Sequence, residues 1–309
     1  MRKTIWLFLL LLSTIMSYGQ TQETIYLNAE DSTVNMFIAV KPKDNATKAF
    51  MFLIPGAFQT PMQVLQQSDL PVYAAKNGIL TIIPLFQTGI YSFGIDSLTQ
   101  QSLDNQIKFV TKKYKLENKK LFIGGFSIGG SNAVKYAELF ADNPGLSRPK
   151  AVFAIDPPLD FERYYNAAKR VFRLTPKGQV NEEVTYMIER IEKEMGGTPQ
   201  TALENFYTLS PYSYSDEKQR AVKKLTDIPI TIYSEPDIHW WLSQRGYDYS
   251  FMNITDQAAM INELQRLGNK KAVLVTTENK GFRKPDGIRH PHSFSIVYNE
   301  QLITWLLEQ

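Results

Sequence analysis

The chain has 309 residues, with 34 Lys and Arg against 31 Asp and Glu, and no cysteine. A formal charge of +3 over this length gives no electrostatic case for nucleic acid or an acidic membrane surface as a partner. The lack of cysteine excludes disulfides, a lipid-bearing cysteine and thiolate zinc sites, so the 43% hydrophobic content must build the core unaided.

At the N-terminus Arg2 and Lys3 precede an apolar run from Ile5 to Leu12, and small residues follow at Ser17 and Gly19. This is the pattern of a secretory signal peptide, residues 1–19, and it predicts an exported protein, periplasmic or secreted. The apolar run is short for a membrane span, so no stable membrane anchor is expected after cleavage. Beyond it, strand-like and helix-like patterns alternate. Strands are expected at 24–28, 33–41, 49–54, 79–83, 120–124, 151–155, 229–233 and 271–277. Helices are expected at 62–76, 97–114, 129–141, 255–267 and 295–308. The first two strands read as an antiparallel hairpin at a sheet edge. The alternation predicts an α/β fold, a mostly parallel eight-stranded sheet with helices on both faces. Between Ile155 and Ile228 lie about seventy residues, where a crossover needs only about a dozen. Helical periodicity at 161–172 and 181–195, with shorter helices at 201–207 and 216–225, makes this a helical insertion. The expected organisation is a core of 20–156 and 227–309 with a helical cap at 157–226.

Gly125-Phe126-Ser127-Ile128-Gly129 is a G-x-S-x-G motif set between the strand 120–124 and the helix after it. A serine on so sharp a strand-to-helix turn suits nucleophilic attack, because the helix N-terminus favours negative charge beside it. A serine hydroxyl also needs a histidine base, and the histidine a carboxylate. The chain has three histidines, His239, His290 and His292. His292, in the loop after the last strand, is the expected base, with His290 as the alternative. The expected acid is Asp237, after the strand 229–233; Glu235 and Asp156, which ends the strand 151–155, are the alternatives.

These features resemble the α/β hydrolases over nearly all of the mature chain. The resemblance implies a serine hydrolase acting on a small-molecule ester or acyl substrate, with Ser127 as nucleophile, Asp237 as acid and His292 as base. It takes oxyanion N–H groups from Ile128 and from Ala57, or Phe58 if the loop is shifted. Many members carry His-Gly where this chain has Pro55-Gly56. The insertion is then expected to be a lid. Aromatic side chains, among them Phe58, Trp240 and Trp241, are expected to wall the substrate pocket. No metal or organic cofactor is needed for such chemistry. Lys280, Arg283, Lys284 and Arg289 make the loop before the base basic, either as a solvated surface or as an attraction for a substrate carboxylate. A peptidase or amidase, a lyase or acyltransferase, and a non-catalytic binding protein are the other functions open to this fold.

Overall fold

The computed structural model describes residues 21–28, 30–31, 33–43, 46–176 and 181–309. The expected signal peptide lies outside them. Strands β1 (Thr21–Tyr26), β2 (Met36–Lys41), β3 (Ala49–Ile54), β4 (Ile79–Leu85), β5 (Lys120–Phe126), β6 (Ala151–Ile155), β7 (Ile230–Ser234) and β8 (Ala272–Thr276) form one eight-stranded sheet in the order β1-β2-β4-β3-β5-β6-β7-β8. The pairs β1–β2 and β2–β4 are antiparallel, and every other neighbour pair is parallel.

Strands β3, β4 and β6 are buried at every residue because helices cover both faces, which is why their sequences run apolar without alternation. Strand β1 sits at the edge, and its Thr21, Gln22 and Glu23 keep that edge polar. Period-two geometry divides β3 between two cores. Phe50, Phe52 and Ile54 pack with Val134 of α4 (Ile128–Asp142), Ile107 of α3 (Ser97–Tyr114) and Leu264 of α9 (Ile254–Arg266). Met51 and Leu53 pack on the other face with Ala74 of α2 (Leu70–Lys76) and Leu306 of α10 (Asn299–Glu308).

Between β6 and β7 lie α5 (Phe161–Leu174), α6 (Glu182–Met195) and α7 (Pro199–Leu209). Their apolar sides form a third cluster, in which Phe161, Ile188, Ile191 and Phe206 meet Phe93, Ile95 and Ile128 of the sheet-bearing part. Asp160 caps α5 by accepting the Arg163 N–H at 2.9 Å. Asp256, on α9, accepts the N–H groups of Leu159 and Asp160 at 2.9 and 2.8 Å and takes the Arg163 guanidinium at 2.8 Å. A single buried carboxylate therefore fixes the angle at which the chain leaves β6 and enters α5.

The departures from the sequence expectation have local causes. The helix expected over 62–76 is two, α1 (Pro61–Gln67) and α2, because the chain is extended at Ser68 and each helix restarts with a proline in its first turn. The closing helix begins only at Asn299, after a 3₁₀ turn at Phe294–Ile296. The helix expected over 216–225 is reduced to a 3₁₀ turn at Val222–Leu225. Two elements were not expected: α8 (Ile238–Arg245), directly after β7, and a hairpin of β9 (Phe282–Arg283) with β10 (Ile288–Arg289).

Asp256→Ala should destabilise the fold by about 3 kcal/mol, because it strands a guanidinium and two N–H groups away from water. Chemical denaturation measures this, and a loss below about 1 kcal/mol would show that the carboxylate does not hold α5 in place.

Candidate active site

Ser127 joins β5 to α4 with φ 52° and ψ −125°, a conformation that a non-glycine residue holds only when its surroundings enforce it. Its N–H donates to the Ile155 carbonyl at 2.8 Å, and its own carbonyl accepts from Gly130 at 2.8 Å, so the helix starts one residue later. The flanking glycines make the turn possible. A Cβ on Gly125 would lie 2.5 Å from the Gly129 carbonyl carbon, and one on Gly129 would lie 2.4 Å from the Ile54 and Pro55 oxygens. These are backbone atoms at the centre of the sheet and cannot step aside.

Ala57 and Ile128, the two expected N–H donors, border the same space. Ala57 follows β3 and Ile128 opens α4; both line a cavity of about 170 Å³ that also takes in Ser127 and His292. Among the described residues neither N–H has a hydrogen-bond partner, whereas the Phe58 N–H donates to the Ile90 carbonyl at 2.9 Å. The unshifted reading of the loop, through Ala57, is therefore the one with a free donor.

His292 stacks on Phe126, the residue before Ser127, with ring centroids 4.5 Å apart. Its Nδ1 lies 2.6 Å from Oδ2 of Asp156. Asp156 is 8% exposed, and its Oδ1 accepts from the Ser234 hydroxyl at 2.7 Å and the Gln257 amide at 3.0 Å. Burial pushes a carboxyl pKa up, but the hydrogen bond and charge attraction of His292, with the hydrogen bonds from Gln257 and Ser234, outweigh it and hold Asp156 below the usual carboxylate range. An ionised Asp156 accepts from Nδ1–H, which leaves Nε2 of His292 as the proton acceptor.

The expected acid, Asp237, does not meet His292. Its Oδ1 caps α8 by accepting the Trp240 N–H at 3.0 Å, and its Oδ2 takes Arg289 at 2.6 Å. Glu235 is engaged as well. It is 3% exposed and accepts from the Thr277 hydroxyl and the Lys280 N–H, each at 2.9 Å, and from the Gly281 N–H at 3.1 Å, and it pairs with Arg289 at 2.5 Å. Of the three carboxylates weighed from sequence, Asp156 is the one beside His292. Asp237 is spoken for by a helix that the sequence reading missed, and Glu235 by the loop that carries the histidines.

His290 is buried against Trp240 and Trp241, at centroid distances of 4.7 and 5.7 Å. Burial, reinforced by the positive charge of Arg283, pushes its pKa down to about 3, so the ring is neutral and has no carboxylate to orient it. His239 is exposed on α8, away from the cavity. Of the expected aromatic wall, Trp241 lines the cavity, together with Tyr164, Tyr247 and Phe251. Trp240 stands behind Trp241 with its ring perpendicular, and Phe58 sits edge-on to Tyr91 and to Tyr186 of α6, outside the cavity lining. Val184 and Met187 of α6 close the opposite side.

No protein-family model matches the sequence, and no curated protein is similar to it in sequence. Solved structures are similar in fold. An S-formylglutathione hydrolase from Agrobacterium tumefaciens superposes with a TM-score of 0.60 at 12% identity, over 94% of this chain and 96% of the other. Carboxyl esterase 2 from the fungus Tuber melanosporum gives a TM-score of 0.56 at 15% identity, over 95% and 87%. The acylaminoacyl peptidase of Pyrococcus horikoshii gives 0.58 at 13% identity, over 94% of this chain but 42% of the peptidase. With its eight-stranded, mostly parallel sheet and these structural neighbours, the chain has the α/β-hydrolase fold.

Proposed function

We propose that this protein is an exported serine hydrolase that cleaves carboxylic esters through an acyl-enzyme. The observation that carries the reading is the 2.6 Å pair of Asp156 and His292, held beside a serine on a strained turn. In the reaction, the Ser127 hydroxyl oxygen attacks the ester carbonyl carbon while Nε2 of His292 takes its proton. The oxyanion formed accepts from the Ala57 and Ile128 N–H groups, which need no reorganisation to meet it. Collapse breaks the bond to the leaving alcohol, and His292 returns the proton to that oxygen. Water then attacks the acyl carbon with the same histidine as base, freeing the acid and restoring Ser127. Asp156 fixes the tautomer and stabilises the imidazolium that forms.

The structural neighbours support esters over amides in one respect. The chain matches the formylglutathione hydrolase and the esterase over most of their length, but less than half of the peptidase. Helices α5–α7 act as the cap, with Tyr164, Val184 and Met187 bounding the acyl or leaving-group space and excluding water from it. The signal-like N-terminus supports an activity exported from the cytoplasm.

A fluorophosphonate probe should label the protein and fail to label Ser127→Ala or His292→Ala; labelling that persists in Ser127→Ala removes the scheme. Asp156→Asn should lower kcat on a 4-nitrophenyl ester by roughly 10³–10⁴-fold, the effect of a wrong tautomer. Asp237→Asn keeps a side chain able to cap α8 but loses the ion pair with Arg289, so it should cost about 1 kcal/mol of stability or less and leave the rate nearly intact. Equal rate losses in the two variants would return Asp237 to the triad.

A further inference from the structure

Among the described residues, five arginines form ion pairs. Arg163 meets Asp256, Arg170 meets Asp248, Arg190 meets Glu194, Arg220 meets Glu204 and Arg289 meets both Glu235 and Asp237. Arg148, Arg173, Arg266, Arg245 and Arg283 form none there, and of these the ones in the cavity lining are Arg245 and Arg283. They come from separate elements, the last turn of α8 and strand β9, yet both line the active-site cavity. Among the described residues neither has a carboxylate within 4 Å, the limit for an ion pair. The Arg283 guanidinium lies 3.4 Å from the carbonyl oxygen of His292, which puts its charge within a few bonds of the base.

Two guanidinium groups that share a cavity repel each other, and a protein tolerates that where a ligand anion completes the set. The geometry points to Arg245 and Arg283 as an anion subsite, so that the ester cleaved at Ser127 carries a second, unesterified oxyanion group. This inference rests on the hydrolase reading of the same site. The shared chemistry is that of an oxyanion, a carboxylate or a phosphate monoester. With the cavity at about 170 Å³, the anion must sit only a short chain away from the scissile carbonyl.

Two further features agree. Although Arg283 reaches solvent, the surrounding protein desolvates it and Arg245 adds its positive field, and both effects lower its hold on its proton. An anion in the cavity would reverse the second of these. Glu183, on α6, lines the same cavity and attracts Arg283 without touching it. It is the local competitor for the pair: a bound substrate anion gains the two arginines but faces Glu183.

The test uses the mature protein. Hydrolysis of the 4-nitrophenyl monoester of succinic acid is compared with that of 4-nitrophenyl butyrate, as the ratio of kcat/KM. The ratio should favour the charged ester by about tenfold or more, fall with added salt, drop in Arg245→Gln and Arg283→Gln, and rise in Glu183→Gln. In a parallel titration, the Ser127→Ala protein is followed by tryptophan fluorescence against monomethyl glutarate, dimethyl glutarate and butyl phosphate. Tighter binding of monomethyl glutarate than of its neutral diester supports a carboxylate subsite. Tightest binding of butyl phosphate supports the subsite and assigns the anion to a phosphate. Equal binding of charged and neutral ligands, with a kinetic ratio near one that Glu183→Gln does not move, overturns it. Fluorophosphonate labelling separates the two failures. A labelled enzyme without charge discrimination loses only the subsite. An unlabelled protein loses the hydrolase reading, and the titration still decides the subsite.

Discussion

The carboxylate of Asp156 is the constraint around which the site is arranged. A buried carboxylate is tolerable only if its oxygens are saturated by donors. Here the donors come from three different parts of the chain: Ser234 at the end of β7, Gln257 on α9, and His292 in the loop before α10. The backbone joins in, since the Asp156 N–H donates to Tyr233 at 2.8 Å and its carbonyl accepts from the Asn253 amide at 2.9 Å. One ionised group thus fixes the relative positions of two strands, a helix and the histidine loop. The hydrogen bonds that keep it ionised include the one that orients His292, so the local stability and the placing of that ring share a cause.

The second constraint is close approach. Strands β3, β5 and β6 are neighbours in the middle of the sheet and end in the same direction. Helix α4 must leave β5 almost at once, and it does so by laying Gly129 against the carbonyls of Ile54 and Pro55. That contact brings the end of β3, with Ala57 just beyond it, to the N-terminus of α4. The pairing of the two free N–H groups is therefore a consequence of the same tight turn that strains Ser127. Sheet geometry brings Ser127 and the Ala57 and Ile128 N–H groups together, and β6, the next strand over, supplies Asp156.

The framework was legible in the sequence because it is periodic. The strands are apolar runs of the right length, and every strand expected from them is found, within a few residues at its ends. The serine turn was legible because its glycines are sterically required. The acid was harder, because chain order leaves three carboxylates after two strands. A signal was present in the residues themselves. Asp237 stands three residues before Trp240, the spacing at which a carboxylate caps a helix, and a capping carboxylate is aimed at backbone N–H groups. Asp156 caps no helix, since α5 begins only at Phe161 and has Asp160 as its cap. Helix α8 was missed because its hydrophobic residues do not fall on one face: none of its eight residues is buried. The burial of His290 beneath Trp240 and Trp241 is a tertiary fact with no local pattern behind it.

The histidine loop shows how one support serves two purposes. Glu235 binds it at Thr277, Lys280, Gly281 and Arg289, four points on the stretch that leads to His292. The β9–β10 hairpin within that stretch carries two arginines with opposite fates. Arg289 on β10 turns to Glu235 and Asp237 and is consumed in holding the loop. Arg283 on β9 reaches the cavity beside the His292 carbonyl and has no ion pair among the described residues. Glu235 and Asp237 are thus committed to Arg289, while Glu183 acts on Arg283 only from a distance. The same anchoring that fixes Arg289 therefore holds the stretch on which Arg283 and His292 are both carried.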